Sequence, residues 1–199
     1  MTLDELRVDF IARRRGSLAL PITGVIVYTA IALATLLVPP ERRNWVLAIG
    51  FWAIPPLGAL VMRLRGEEPA SPDNPLFDLS AKARIMALST WAIHIPVWLY
   101  APALFPISVG IGLALHWVVF SWTVGHPVGF YHLAARIVLV LGAWHLWPGN
   151  RVEAVSAGIA LAYALSIWQL RRIRWTRRFE GIRPTAASPS ATRWWEERA

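Results

Sequence analysis

The chain contains no cysteine, which excludes disulfides, thiolate metal sites, covalent haem attachment and thiol redox chemistry. Lysine is nearly absent, Lys82 being the only one against a background of arginine, a usage that fits a GC-rich bacterial genome. Charge of either sign is missing from Ile85 to Ala135. A hydrocarbon core of about 30 Å takes about 20 apolar residues as a helix, so this stretch holds two membrane spans and the start of a third. No strongly specific catalytic, phosphate-binding or metal motif is present, and no residue is assigned a catalytic role. The longest internal loop, residues 63–84, is well below the roughly 40 residues that an unaided domain needs, which argues against a soluble-enzyme reading.

What is present is apolar and aromatic: 56% hydrophobic residues and 12 Trp in 199 residues. The expected fold is an all-α polytopic transmembrane helix bundle. Residues 1–16 form an amphipathic cytoplasmic segment in which Thr2 and Glu5 make a capping-box pattern. Residues 17–170 form the membrane domain, with six spans at about 17–38, 45–62, 85–101, 105–123, 128–147 and 152–170. Pro55 and Pro56 bend or break the second span. The connections around Pro102, Gly125 and Pro148 are short, which places consecutive spans antiparallel and side by side. Residues 171–199 form a basic, partly disordered cytoplasmic tail, disordered from Pro184 onward, with Trp194 and Trp195 available to dock on the bilayer.

Basic residues near span ends are retained in the cytoplasm. Sixteen Lys and Arg fall in the N-terminus, the 63–84 loop and the C-terminal segment, against three, Arg42, Arg43 and Arg151, on the other side. Both termini are therefore expected in the cytoplasm of a bacterial inner-membrane protein; a four-span reading keeps the same parity. The net charge of +8 lies at span ends and in the tail, so topology explains it and nucleic acid is not an expected partner. Trp45, Trp98, Trp144 and Trp147 fall near outer span ends and Trp122, Trp168 and Trp175 near inner ends, as interfacial indoles do. Trp52, Trp91 and Trp117 lie deeper, where helix packing is expected.

The polar residues inside the spans are the candidates for function. His94 and His116 fall at one depth on neighbouring antiparallel helices, where they either pack structurally, relay protons or substrate, or ligate a haem iron. Arg136 lies in the fifth span with no acid nearby. Either it snorkels to the cytoplasmic face, or it faces a polar cavity with His132 one turn away and holds an anionic group. His94, His116, His132 and Arg136 form the expected polar cluster, with His94 and His116 as the haem-binding pair if a cofactor is present. Ser108, Gly112 and His116 share one face and suit close helix packing. His126 and His145 sit at span ends. Arg171, Arg172, Arg174, Trp175, Arg177 and Arg178 suit anionic lipid headgroups.

Three short segments, Leu6-Arg7, Asn74-Pro75-Leu76 and the His116 region with Trp122, carry a resemblance to a family of small bacterial multi-span membrane proteins of unknown function. The resemblance implies a topology and no activity. The function classes that remain are a small-molecule or lipid-handling bundle built around the polar cluster, a haem-binding or redox membrane protein, and an accessory or structural subunit.

Overall fold

The structure, a computed structural model, describes residues 1–184 and 189–197, and every regular element among them is helical. Helix α1 (Leu3–Arg13) starts on a reciprocal cap, in which Glu5 N–H donates to Thr2 Oγ1 at 3.3 Å and Thr2 N–H to Glu5 Oε2 at 2.6 Å. Backbone with positive φ at Arg15, Gly16 and Ser17 turns the chain into α2 (Ala19–Thr35). Helices α3 (Arg43–Phe51) and α4 (Ile54–Arg65) follow, with a 40° bend between them. The break falls just ahead of Pro55 and Pro56, which occupy the first turn of α4, where missing N–H groups go unnoticed.

Helix α5 (Pro75–Ser89) is capped by Asn74, and α6 (Trp91–Tyr100) resumes after a break at Thr90. Helices α7 (Phe105–Gly112) and α8 (His116–Val124) are likewise two halves separated at residues 113–115. Helices α9 (Val128–Leu146) and α10 (Arg151–Arg172) are long and unbroken. Short α11 (Trp175–Arg178) and α12 (Pro189–Glu196) complete the described chain.

Three segments are long and apolar enough to cross a membrane, Pro102–Val124, Val128–Leu146 and Arg151–Arg172, and the bent α3–α4 pair makes a fourth if it counts as one span. Helix α2 is apolar but shorter. The outer surface agrees with this character: Leu64, Leu99, Val138 and Leu146 are each at least 70% exposed, a placement that suits a non-aqueous surround.

Helix α10 lies against α2 and α9 at the centre; α4 packs on α2, α8 on α9, α5 on α8 and α1, and α6 on α7. The apolar interior falls into two bodies. The larger joins Tyr28, Ile31, Phe51, Val109, Trp117, Val140, Ile159 and Tyr163 inside the bundle. The smaller joins Phe10, Ile11, Phe77, Val124, Leu170, Trp175, Phe179 and Trp195 at the end where both chain termini lie.

That second core changes the expected tail. The disorder expected from Pro184 falls in part on residues 185–188 and 198–199, which lie outside the described residues, but α12 is helical and packs on α1. Trp195 is buried there and Trp194 packs against the same core, where the groove beside α1 removes indole surface from water. Trp175 is also buried, its ring edge-on to His126 at 5.9 Å, so it is turned away from the surface where a lipid headgroup would lie. Of the deeper tryptophans, Trp117 is buried, while Trp52 is half-exposed and stacks on Trp91 at 5.9 Å.

Candidate functional site

Arg136 sits at mid-length in α9 and has no exposed surface. Of the two expectations, the side chain takes the inward one. Its Nε donates to the Gly110 carbonyl at 2.5 Å. The break in α7 makes this possible: Leu113 N–H donates to Val109 and Ala114 N–H to Ile111, which leaves the Gly110 carbonyl without a helical donor. The guanidinium lies over the rings of Tyr28 at 5.5 Å and Tyr163 at 5.2 Å, so two π faces supply part of what a carboxylate would. Nη1 and Nη2 complete no hydrogen bond of good geometry, and neither does the Tyr28 hydroxyl beside them.

His132, one turn earlier on the same helix, shares this cluster. Its Nδ1 lies 2.7 Å from Ser166 Oγ, and Ser166 gives its own proton to the Ala162 carbonyl at 3.0 Å. His132 Nδ1 therefore donates, and Nε2 keeps a buried lone pair with no partner. The ring stacks on Trp117 at 3.8 Å. Gly129, one turn before His132, lets the α9 backbone approach the Trp117 carbonyl so closely that a β-carbon would collide with it.

His94 is placed elsewhere. Thr90 donates to the Ala87 carbonyl at 2.6 Å, so its oxygen accepts from His94 Nε2 at 2.8 Å, and Nδ1 accepts from Ser108 at 2.6 Å. Both ring nitrogens are engaged, and Gly112 lies flush against the imidazole. His116 bonds within its own turn, Nδ1 to the Leu113 carbonyl at 2.8 Å. Among the described residues no ring contact joins His94 to His116. A bis-histidine haem needs a free nitrogen on each imidazole, and His94 has none, so the pair does not fit that group. Ser108 and Gly112 make a close-packed face as the spacing suggests, but what they pack against is His94.

A cleft of about 510 Å³ ends on this cluster. Its walls come from α2 and α4 on one side and α5 and α8 on the other; α4 and α5 are not among the closely packed helix pairs. Leu20, Pro21, Ile54, Ile85 and Leu88 line it, Tyr28, Tyr163, His116 and Trp117 close its inner end, and Arg14, Glu67 and Arg84 complete the wall, with Arg84 within electrostatic reach of both Arg14 and His116. Arg136 is behind the tyrosine pair and does not itself line the cleft. Glu67 accepts from Arg65 Nε at 2.7 Å and from Ala19 N–H at 3.0 Å, capping α2; burial pushes its carboxyl up from the ordinary 4.5 despite Arg65.

Sequence reasoning named His116, His132 and Arg136 and missed Tyr28, Tyr163, Arg14, Glu67 and Arg84. The available signal for the phenols was their position, mid-helix in apolar segments and far from any end, where tyrosine has no interfacial reason to be. In the basic C-terminal segment Arg171, Arg172, Arg174, Arg177 and Arg178 are exposed. Arg172 covers Trp168 at 4.1 Å, and Arg178 donates to the Gly125 carbonyl.

The chain belongs to a family of unknown function, DUF7010, whose model matches residues 3–172. No curated protein and no solved structure matches it. No specific activity comes with the family. The three segments that carried the resemblance meet at one junction: Asn74 Nδ2 donates to the Leu6 carbonyl at 2.8 Å, and Arg7 Nη2 donates to the Trp122 carbonyl at 3.0 Å.

Proposed function

We propose that this protein is an amphiphile-handling bundle of the bacterial inner membrane, with Tyr28, Tyr163 and His116 closing the inner end of its binding cleft and His132 and Arg136 backing them. The observation that carries this reading is the cleft itself: mostly apolar walls drawn from α2, α4, α5 and α8, with buried polar atoms of Arg14, Tyr28 and Trp117 left without partners among its lining residues. A volume of about 510 Å³ lies within the roughly 300–1,000 Å³ of small-ligand sites. His94 is a packing histidine in this reading.

The topology that goes with it has six spans within residues 17–170 and both termini in the cytoplasm. The bent α3–α4 pair and the broken α5–α6 pair each count as one span, and α2 at about 25 Å is long enough for a thin crossing. The charge asymmetry supports this orientation. The exposed arginines of the C-terminal segment then lie at the inner leaflet, where anionic headgroups attract each by about 1 kcal/mol.

Extraction of the detergent-purified protein, followed by mass spectrometry of the organic phase, tests the reading. A near-stoichiometric amphiphile is expected from the parent chain. It should be lost from Leu88→Trp, which fills the cleft from a partly exposed position, with the variant still monodisperse. Identical extracts from the two would sink the proposal. Because no native cysteine interferes, single cysteines placed in the 63–84 loop and near Gly149 report the orientation by labelling from either side.

A further inference from the structure

The outer end of the cleft holds two cations and one already neutralised acid. Arg14 is 5% exposed. Its Nη2 donates to the Pro69 carbonyl at 3.1 Å, its Nη1 lies 2.9 Å from Met62 Sδ, and its Nε has no partner. No carboxylate touches it. Arg84, half-buried on α5, makes neither a hydrogen bond nor an ion pair among the described residues. Glu67, the one acid lining the cleft, is committed to Arg65 and to the start of α2. Burial, reinforced by the charge of Arg84, pushes the Arg14 guanidinium down to about 10. Two desolvated guanidiniums facing one space repel each other, and an oxyanion between them relieves both costs.

The rest of the cleft is apolar. From Ala19, at the level of Arg14, to Tyr28 the α2 backbone rises about 14 Å, close to half of a hydrocarbon core. Leu60 and Leu64 on α4 and Ile85 on α5 are exposed apolar side chains, a surface suited to a chain arriving from the bilayer in the proposed reading.

We infer that the occupant is a single-chain amphiphile with an oxyanion head, the head held between Arg14 and Arg84 and the apolar chain running inward toward His116, Tyr28 and Tyr163. This rests on the proposed reading of the cleft as an amphiphile site. One chain is specified because the volume suits one small ligand. The head is a carboxylate or a phosphate monoester; both present the paired oxygens that guanidinium binds.

The test is a binding titration of the full chain in phosphatidylcholine nanodiscs with four probes: dodecanoate, dodecyl phosphate, dodecanol and inorganic phosphate. Either or both anionic amphiphiles are expected to bind about tenfold or more tightly than dodecanol, as befits charge-assisted hydrogen bonds, with inorganic phosphate weaker still. The tighter of the two identifies the head. Arg84→Gln is the main variant, since a half-buried, unpaired side chain can be removed without breaking the fold. It should cost the anionic probes about tenfold and leave dodecanol unchanged, and Arg84→Lys should recover part of the loss. Equal binding of dodecanol and dodecanoate, with Leu88→Trp abolishing both, overturns the charged head and leaves the amphiphile site standing. Inorganic phosphate binding as tightly as dodecyl phosphate overturns the apolar chain. Absence of binding by every chain-bearing probe, with Leu88→Trp indistinguishable from the parent, overturns the cleft reading as well.

Discussion

Two regions of this protein bury arginine, and they treat it in opposite ways. Near the termini, Arg13 is gripped by Asp9 through Nε at 2.9 and 3.0 Å and by Glu68 at 2.7 Å. Asp9, 1% exposed, also accepts from Asn74 Nδ2 at 2.8 Å, while Asn74 Oδ1 caps α5 through Leu76 N–H at 3.0 Å. Arg13 Nε and Asn74 Nδ2 both meet acceptors there, and the network ties α1 to α5 and to the loop after α4. Arg136, by contrast, has one carbonyl and two aromatic faces. The first arrangement has used up its polar capacity in building the fold, while the second holds some in reserve, which is what a binding site requires.

If this contrast is right, the largest stability loss comes from opening the saturated network. Asp9→Ala leaves Arg13 and Asn74 without their shared partner and should cost about 3–5 kcal/mol, read as a lowered melting temperature in detergent. Gly129→Ala comes next. Its methyl would meet the Trp117 carbonyl, and pushing α9 away from α8 should cost about 1–3 kcal/mol by the same assay.

Glu67 gives a smaller, pH-dependent effect. A carboxyl whose folded pKa is raised above the unfolded one favours the fold while protonated and loses that contribution as pH rises through the folded value. From about pH 4 to pH 7 the Glu67→Gln variant should therefore gain stability relative to the parent, by on the order of 1 kcal/mol or less. A flat difference would show that Arg65 and Ala19 fully offset the burial. The smallest stability change is expected at Arg136→Leu, within about 1 kcal/mol of the parent or in its favour, because an apolar side chain replaces a charge that lacked a counter-charge. Collapse of that variant would move Arg136 into the same structural category as Arg13 and remove the contrast.

The helical character and the presence of several segments apolar enough to cross a membrane were legible in the chain, since hydrocarbon thickness and the absence of charge leave few alternatives. The capping box of α1 was legible for the same local reason. What could not be read was how the segments break. Thr90 and residues 113–115 carry no glycine–proline signature strong enough to announce a break, yet the second of these frees the Gly110 carbonyl that receives Arg136. His94 and His116 share a depth but face different ways, because depth follows from residue count and direction follows from packing. Arg14 and Arg84 were absorbed into the topology count, where any cation at an inner span end looks alike. Their lack of carboxylate partners among the described residues is a property of three-dimensional neighbours. The tail illustrates the opposite error: Ser, Pro and Ala content argued for disorder, while Trp194 and Trp195 had enough apolar surface to hold α12 against α1.

The division of the arginine's aromatic cover between α2 and α10 reaches back to biosynthesis. On the proposed topology, Tyr28 leaves the ribosome before Arg136 does but Tyr163 follows it, so a lone α9 would enter the membrane with a guanidinium near its centre, a burden of about 2.5–3.5 kcal/mol on insertion scales. The tight turn at Trp147–Asn150, closed by Asn150 N–H donating to the Trp147 carbonyl at 3.1 Å, delivers α10 at once and lets the two helices partition as a hairpin. Loop length there is consequently a matter of timing. A flexible insertion after Gly149 would cost the finished fold only about 0.6 kcal/mol per doubling of the loop, yet it would strand α9 during synthesis, and the defect would show as protein that never integrates.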